Sequence, residues 1–241
     1  MKKEYLQLSF KDGKFYAYSK TQEDEYVEHK SSTGNVTYRK YYDNVSGALE
    51  SVSMVKTDLG EKISLRFKTV SGDVQIAQFN IFDSKGNVDR FAESLVSFLP
   101  NLQKGGVYIL SAYNFIPEKE QYAKVGVSIK DENGAKVERA LSNSYYKEGK
   151  LVEGDIPAIE WVEKRGKKMP SASSLEAKTD YLYGVMEKES ARLGYVASAH
   201  EPANHTAPST PQHTEVPSAP KRAKAVAAPA VEEEDDDDLP F

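Results

Sequence analysis

Between residues 1 and 170, apolar and polar side chains alternate in short runs broken by turn chemistry. The breaks are Lys11-Asp12-Gly13-Lys14, Thr33-Gly34-Asn35, Ser71-Gly72-Asp73 and Asp131-Glu132-Asn133-Gly134. Such turns supply positive φ and side chains that bond their own backbone. The runs predict strands at 4–10, 14–20, 24–30, 36–42, 50–57, 62–70, 74–82, 107–116 and 121–130. In the run 62–70, Ile63, Leu65 and Phe67 alternate with Lys62, Ser64, Arg66 and Lys68, a half-buried strand with a basic outer face. Ile63 and Phe67 are therefore expected in the core. Helical spacing appears twice. Asp89, Arg90, Phe91, Leu95, Phe98 and Leu99 form one such run, stopped by Pro100-Asn101. Leu175, Tyr181, Leu182, Val185, Met186 and Leu193 form the other, a stripe that packs on the strands or on a partner.

The order strand–strand–strand–helix–strand–strand over 50–130 is the connectivity of an OB-fold, a small Greek-key barrel whose faces and loops bind oligonucleotides or oligosaccharides. The expected class is all-β. An OB-fold barrel extended by N-terminal strands carries one helix in its connection and a C-terminal helix. A two-sheet sandwich shares the strand count.

Composition changes sharply near residue 196. The last 45 residues hold seven of the 11 Pro, none of the 15 Gly and only one of the 25 aromatic residues. Such a segment buries too little apolar surface to offset its ordering entropy. The expected organisation is a binding domain over 1–170, a C-terminal helix over 171–196, a disordered Pro/Ala-rich linker over 197–231 and an acidic tip over 232–241. Net charge follows the same division. The whole chain is −5, yet residues 1–196 carry 29 bases and 28 acids, and the last ten residues carry seven acids and no base.

Cys is absent, so disulfides, thiolate metal sites and a Cys nucleophile are excluded. No signal-peptide pattern opens the chain, and no stretch approaches the ~18 apolar residues of a membrane span. The expectation is a soluble cytoplasmic protein with no membrane association. Three of the four His (His200, His205, His213) fall in the linker, where nothing fixes a metal geometry, and His29 lies in a charged strand end. No phosphate loop and no nucleophile–base pair is present, and Lys104-Gly105-Gly106 reads as a turn. Acid pairs such as Glu118/Glu120 sit in solvated turns, where a carboxylate is a poor general acid. Neither an enzyme nor a cofactor is expected.

Aromatic residues interleave with bases instead. Tyr38-Arg39-Lys40-Tyr41-Tyr42 is the densest run; others are Lys14 to Lys20, Arg66-Phe67-Lys68, Tyr108 to Phe115, Tyr122-Ala123-Lys124 and Tyr145-Tyr146-Lys147. Single-stranded nucleic acid calls for this mixture, because any base stacks on a ring while Lys and Arg neutralise phosphates. Strands favour aromatics in any case, so many of these rings are core. Neighbours on a strand face opposite sides, so Tyr41 and Tyr42 cannot be buried on the same face. The expected contacts are Tyr38, Arg39, Lys40, Tyr41, Tyr42, Arg66, Lys68, Phe79, Tyr113, Phe115, Tyr122 and Lys124. Lys164, Arg165, Lys167 and Lys168 form a further basic patch after Trp161, able to meet DNA backbone or to hold the acidic tip.

The chain closes on Glu232-Glu233-Glu234-Asp235-Asp236-Asp237-Asp238-Leu239-Pro240-Phe241. A solvated acidic tail needs no apolar end, whereas a short ligand does. The Phe241 ring enters a pocket, its carboxylate meets a cation, and the acids steer toward a basic rim. Asp235 to Phe241 resembles the tip of bacterial single-stranded DNA-binding proteins, with Leu239 in place of the usual Ile. With Leu8 to Phe15, Ser31 to Asn35 and Gly47-Ala48-Leu49, the chain resembles the single-stranded DNA-binding proteins of tailed bacteriophages, those of enterobacterial phages above all. The resemblance implies an OB-fold that coats single-stranded DNA without sequence preference during replication, recombination and repair. It also implies a tip (Asp235, Asp236, Asp237, Asp238, Leu239, Pro240, Phe241) that recruits phage or host replication and recombination proteins. The body has its own aromatic pattern, so bacterial-type tetramerisation is not carried over. Two alternatives stand: an RNA- or oligosaccharide-binding OB module, and a DNA-mimic protein acting through its acidic tail.

Overall fold

The computed structural model describes residues 2–31, 34–118, 122–148, 150–164 and 166–194. The chain divides into two units, 1–196 and 197–241. The linker and tip expected over 197–241 lie outside the described residues.

Alternation becomes one mostly antiparallel sheet. Its strands are β1 (Lys3–Ser9), β2 (Lys14–Ser19), β3 (Val27–Lys30), β4 (Val36–Tyr42), β5 (Asn44–Thr57), β6 (Gly60–Lys68), β7 (Val74–Asn80), β8 (Val107–Phe115) and β9 (Lys124–Asp131). Their order is β3-β4-β2-β1-β7-β6-β5-β8-β9. The sheet curls into a half-barrel, and β2 returns close to β5 and β8. The seam is tight: a Cβ on Gly13 would stand 2.5 Å from the Asn114 amide nitrogen. Only a residue without a side chain lets the β1–β2 turn approach β8 so closely.

The inner face is the core. Leu6, Phe15, Leu49, Val52, Ile63, Leu65, Phe67, Phe79, Leu110, Val127 and Ile129 are buried together, each worth roughly 1.5–3 kcal/mol for a large side chain. Ile63 and Phe67 are buried as expected. On the outer face of β6, Lys62 and Ser64 are also buried, while Lys68 is exposed.

Two helices complete the domain. Asp89 caps α1 (Arg90–Val96) by accepting the Phe91 amide at 2.8 Å, and a 3-10 turn, Leu99–Asn101, follows. In α2 (Ala172–Leu193), Leu182, Met186 and Leu193 join the strand core, so the stripe packs on the sheet. Lys178 pairs with Glu93 at 2.7 Å, and Tyr183 stacks on Phe82. No described helix is long and apolar enough to cross a membrane.

Three features differ from expectation. β5 starts at Asn44 rather than residue 50, because Gly47 interrupts the apolar alternation of Val45 and Leu49. The meander–helix–hairpin order β5-β6-β7-α1-β8-β9 is present, but β7 takes β1 as its second neighbour, in parallel, and β9 ends the sheet. Two hairpins follow the sheet, β10 (Tyr145–Lys147) with β11 (Lys150–Val152), and β12 (Trp161–Lys164) with β13 (Lys167–Pro170).

Candidate nucleic-acid interface

The expected contact residues fall into two groups on the folded domain, and one is lost to the core. Phe79 is 1% exposed and meets Phe15 edge-on, ring centres 5.8 Å apart. Its place opposite Ile63 turns it inward, so it cannot stack on a base.

The first set lies on β4 and β6, which β2, β1 and β7 separate, so the sheet does not bring Arg66 and Lys68 to the β4 residues. The register sets Tyr41 opposite Tyr16 and Arg39 opposite Tyr18 on one face, while Tyr42 stands opposite buried Phe15 on the other. Tyr41 and Tyr42 thus face opposite sides: Tyr41 is 36% exposed on the side of Arg39, and Tyr42 is half-buried. The Tyr42 hydroxyl donates to Glu4 at 2.7 Å, and burial together with that carboxylate pushes the phenol far up, so it stays protonated. Lys40 pairs with Glu25, which raises the amine and lowers the acid. Tyr38 is half-buried on the side of Lys40 and Tyr42. Arg66 donates to Glu50 at 2.7 Å, and Lys68 is exposed at the strand end. Tyr38, Lys40 and Tyr42 are therefore turned away from Arg39 and Tyr41, and the run splits between two faces.

Of the second group, Tyr113, Phe115 and Lys124 line a trough. On β8, Tyr113 and Phe115 share a face, ring centres 5.9 Å apart, and Phe115 stands opposite Lys124 on β9. Phe115 is 52% exposed, and Tyr122, before β9, is 61% exposed. Tyr113, Lys124 and Arg139 form a wall shared by two hollows of about 390 and 420 Å³. A third hollow, which shares Glu93 and Asn143 with the first, is lined by Tyr145, Tyr146, Trp161 and Lys178. The cations of the trough are held in place. Arg139 donates to the buried Ser94 hydroxyl at 3.2 Å and lies 5.2 Å from the Phe98 ring centre. That hydroxyl also accepts the Val127 amide at 3.0 Å, which ties α1 to β9. Arg90, Lys136 and Arg139 make no ion pair among the described residues, and the one acid of the trough, Glu93, is paired with Lys178.

Tyr145, Tyr146, Trp161, Arg139 and Arg90 line these hollows but are not among the residues expected from the sequence. Tyr145-Tyr146-Lys147 already carried the aromatic–basic signal. Arg139 and Arg90 carried none, because only folding brings them beside Tyr113. Of the basic patch after Trp161, Lys164 ends β12, Lys167 and Lys168 open β13, all three are exposed, and Arg165 lies outside the described residues.

No protein-family model matches the chain, nor does any curated protein or any solved structure.

Proposed function

We propose that this protein binds single-stranded DNA without sequence preference, using the trough as its main contact. One observation carries the reading: three hollows with shared wall residues are lined by Tyr113, Phe115, Tyr145 and Trp161 together with Lys124, Arg139 and Lys178. A base stacked on such a ring gains ~1–3 kcal/mol whatever its identity. Each phosphate met by a cation releases counterions, so affinity falls as salt rises. A duplex hides its base faces within the stack and so gains little from rings that need an open base face.

The half-barrel is read as an OB-type barrel in which the N-terminal strand β1 occupies the place beside β7. The element order and the return of β2 to β5 and β8 support that reading. The proposed role is to coat single strands exposed during phage DNA replication, recombination and repair, in the cytoplasm of the infected bacterial cell. It involves no bond-making chemistry and no cofactor. The tip, Asp235 to Phe241, is the proposed contact for phage or host replication and recombination proteins.

The test is fluorescence anisotropy of a labelled dT oligomer, competed with unlabelled DNA, RNA and duplex of matched length. Displacement by single-stranded DNA and poor displacement by duplex supports the reading. Displacement by RNA alone would move the assignment to an RNA-binding module. No binding at low salt leaves the DNA-mimic alternative, with the tail as the working part.

A further inference from the structure

Arg39 is an oddity on the outer sheet face. Other bases of β2, β4 and β6 are paired: Lys14 meets Asp43, Lys40 meets Glu25 and Arg66 meets Glu50. Arg39 makes no hydrogen bond and no ion pair among the described residues, and its Nε is buried without a partner. The guanidinium lies over the Tyr16 ring, 4.3 Å from its centre. Tyr41 approaches the same ring at 6.1 Å, and Tyr18 stands directly opposite Arg39. Burial raises the Tyr16 phenol, so the ring stays neutral and Arg39 gains no phenolate partner. A half-buried guanidinium without an acceptor needs an explanation, since such groups are satisfied in most proteins. Stacked on a tyrosine, Arg is preset to meet a phosphate with its outer nitrogens.

β2, which carries Tyr16 and Tyr18, comes close to β8, which carries Tyr113 and Phe115, at the barrel seam. The Asn114 side-chain amide donates to the Phe10 carbonyl at 2.7 Å, which fixes the β1–β2 turn against the end of β8. Phe10 stands half out of that turn, edge-on to Phe91 at 5.7 Å. Phe115 is exposed on the other side of the seam, and Tyr16 lies two residues beyond Lys14, on the same face of β2. From these contacts we infer that the outer face holds a second subsite for the same strand. Arg39 takes a phosphate, Tyr41 or Tyr18 stacks a base, and the strand crosses the Phe10–Lys14 turn to reach the trough. The inference rests on the single-strand reading of the trough and adds to it a length threshold. A short oligomer fills the trough alone, and only a longer one reaches Arg39.

The experiment compares dT oligomers of about 6 and about 20 nucleotides, the first near the short end of one barrel's usual site of ~4–16 nucleotides and the second beyond its long end. Full-length protein is used, as wild type, Arg39→Met and Tyr41→Leu. Both variants keep apolar bulk on the sheet, and thermal melting confirms that each folds. The expected result is a several-fold loss of affinity for the long oligomer in both variants, with the short one unchanged. The salt slope for the long oligomer should also shrink in Arg39→Met. Equal losses for both lengths would overturn the inference, since the cluster would then belong to a single site. So would no loss for either length, with single-strand binding itself intact. If wild type binds neither oligomer, the reading of the trough has failed as well, and the two failures are told apart.

Discussion

The Tyr113 ring crosses β9 at Gly126. A Cβ on Gly126 would stand 2.8 Å from the Tyr113 hydroxyl and 2.7 Å from the Ser94 hydroxyl. The bare backbone is what lets Tyr113 lie in the trough while Ser94 holds α1 to β9. Gly126→Ala should push the ring or the helix aside, costing about 1–3 kcal/mol of stability as overpacking does. Affinity for single-stranded DNA should fall with it. Urea unfolding and oligomer binding measure the two, and an Ala variant equal to wild type in both would remove Gly126 from the account.

Phe79 and Trp161 should behave as opposites. Phe79→Ala opens a cavity in a packed core and should cost about 3–5 kcal/mol of stability. Trp161 is 57% exposed on a hairpin, so Trp161→Ala should leave melting nearly unchanged and lower DNA affinity by about 1–3 kcal/mol. A Trp161→Ala protein that unfolds readily but binds normally would mark the hairpin as structural.

Arg139 makes a charge prediction. Its guanidinium is held by Ser94 and by the Phe98 ring, with no acid paired to it among the described residues. Arg139→Gln should weaken binding on every sequence and reduce the slope of log affinity against log salt by about 0.7, one phosphate's share on a single strand. An unchanged slope would place Arg139 outside the phosphate path.

The strands were legible because a period of two needs only a few residues to declare itself. Ile63, Leu65 and Phe67 announced β6, and Tyr38 to Tyr42 announced β4. Gly47 hid the first residues of β5, since a glycine breaks the apolar alternation without breaking the strand. The parallel pairing of β1 with β7 was not legible: Leu6 and Ala77 meet across about 70 residues of chain, and no local pattern encodes that closure. The trough was half legible. Tyr113 and Phe115 belong to one aromatic–basic run and Lys124 to another, and the β8–β9 pairing sets Phe115 opposite Lys124. Arg90, Arg139 and Trp161 come from three other segments, and their convergence is a property of the fold alone.

The acidic tip predicts competition. Glu232 to Asp238 supply seven negative charges on a short segment, enough to imitate a run of phosphates. A chain cut after Val231 should bind oligonucleotide several-fold more tightly at low salt and lose the partner proteins. Equal affinity in cut and full-length chains would show that the tip does not compete with DNA.

Trp161 is the only tryptophan in the chain, and it lines the trough. Its fluorescence reports on that surface without a label. Titrating the full-length protein with unlabelled dT oligomer at low salt should quench the emission in a saturable way, and added salt should reverse the quench. An equal amount of duplex should quench little. If the strand binds by anisotropy while Trp161 emission stays unchanged, the trough is not where the DNA lies, and the central claim fails.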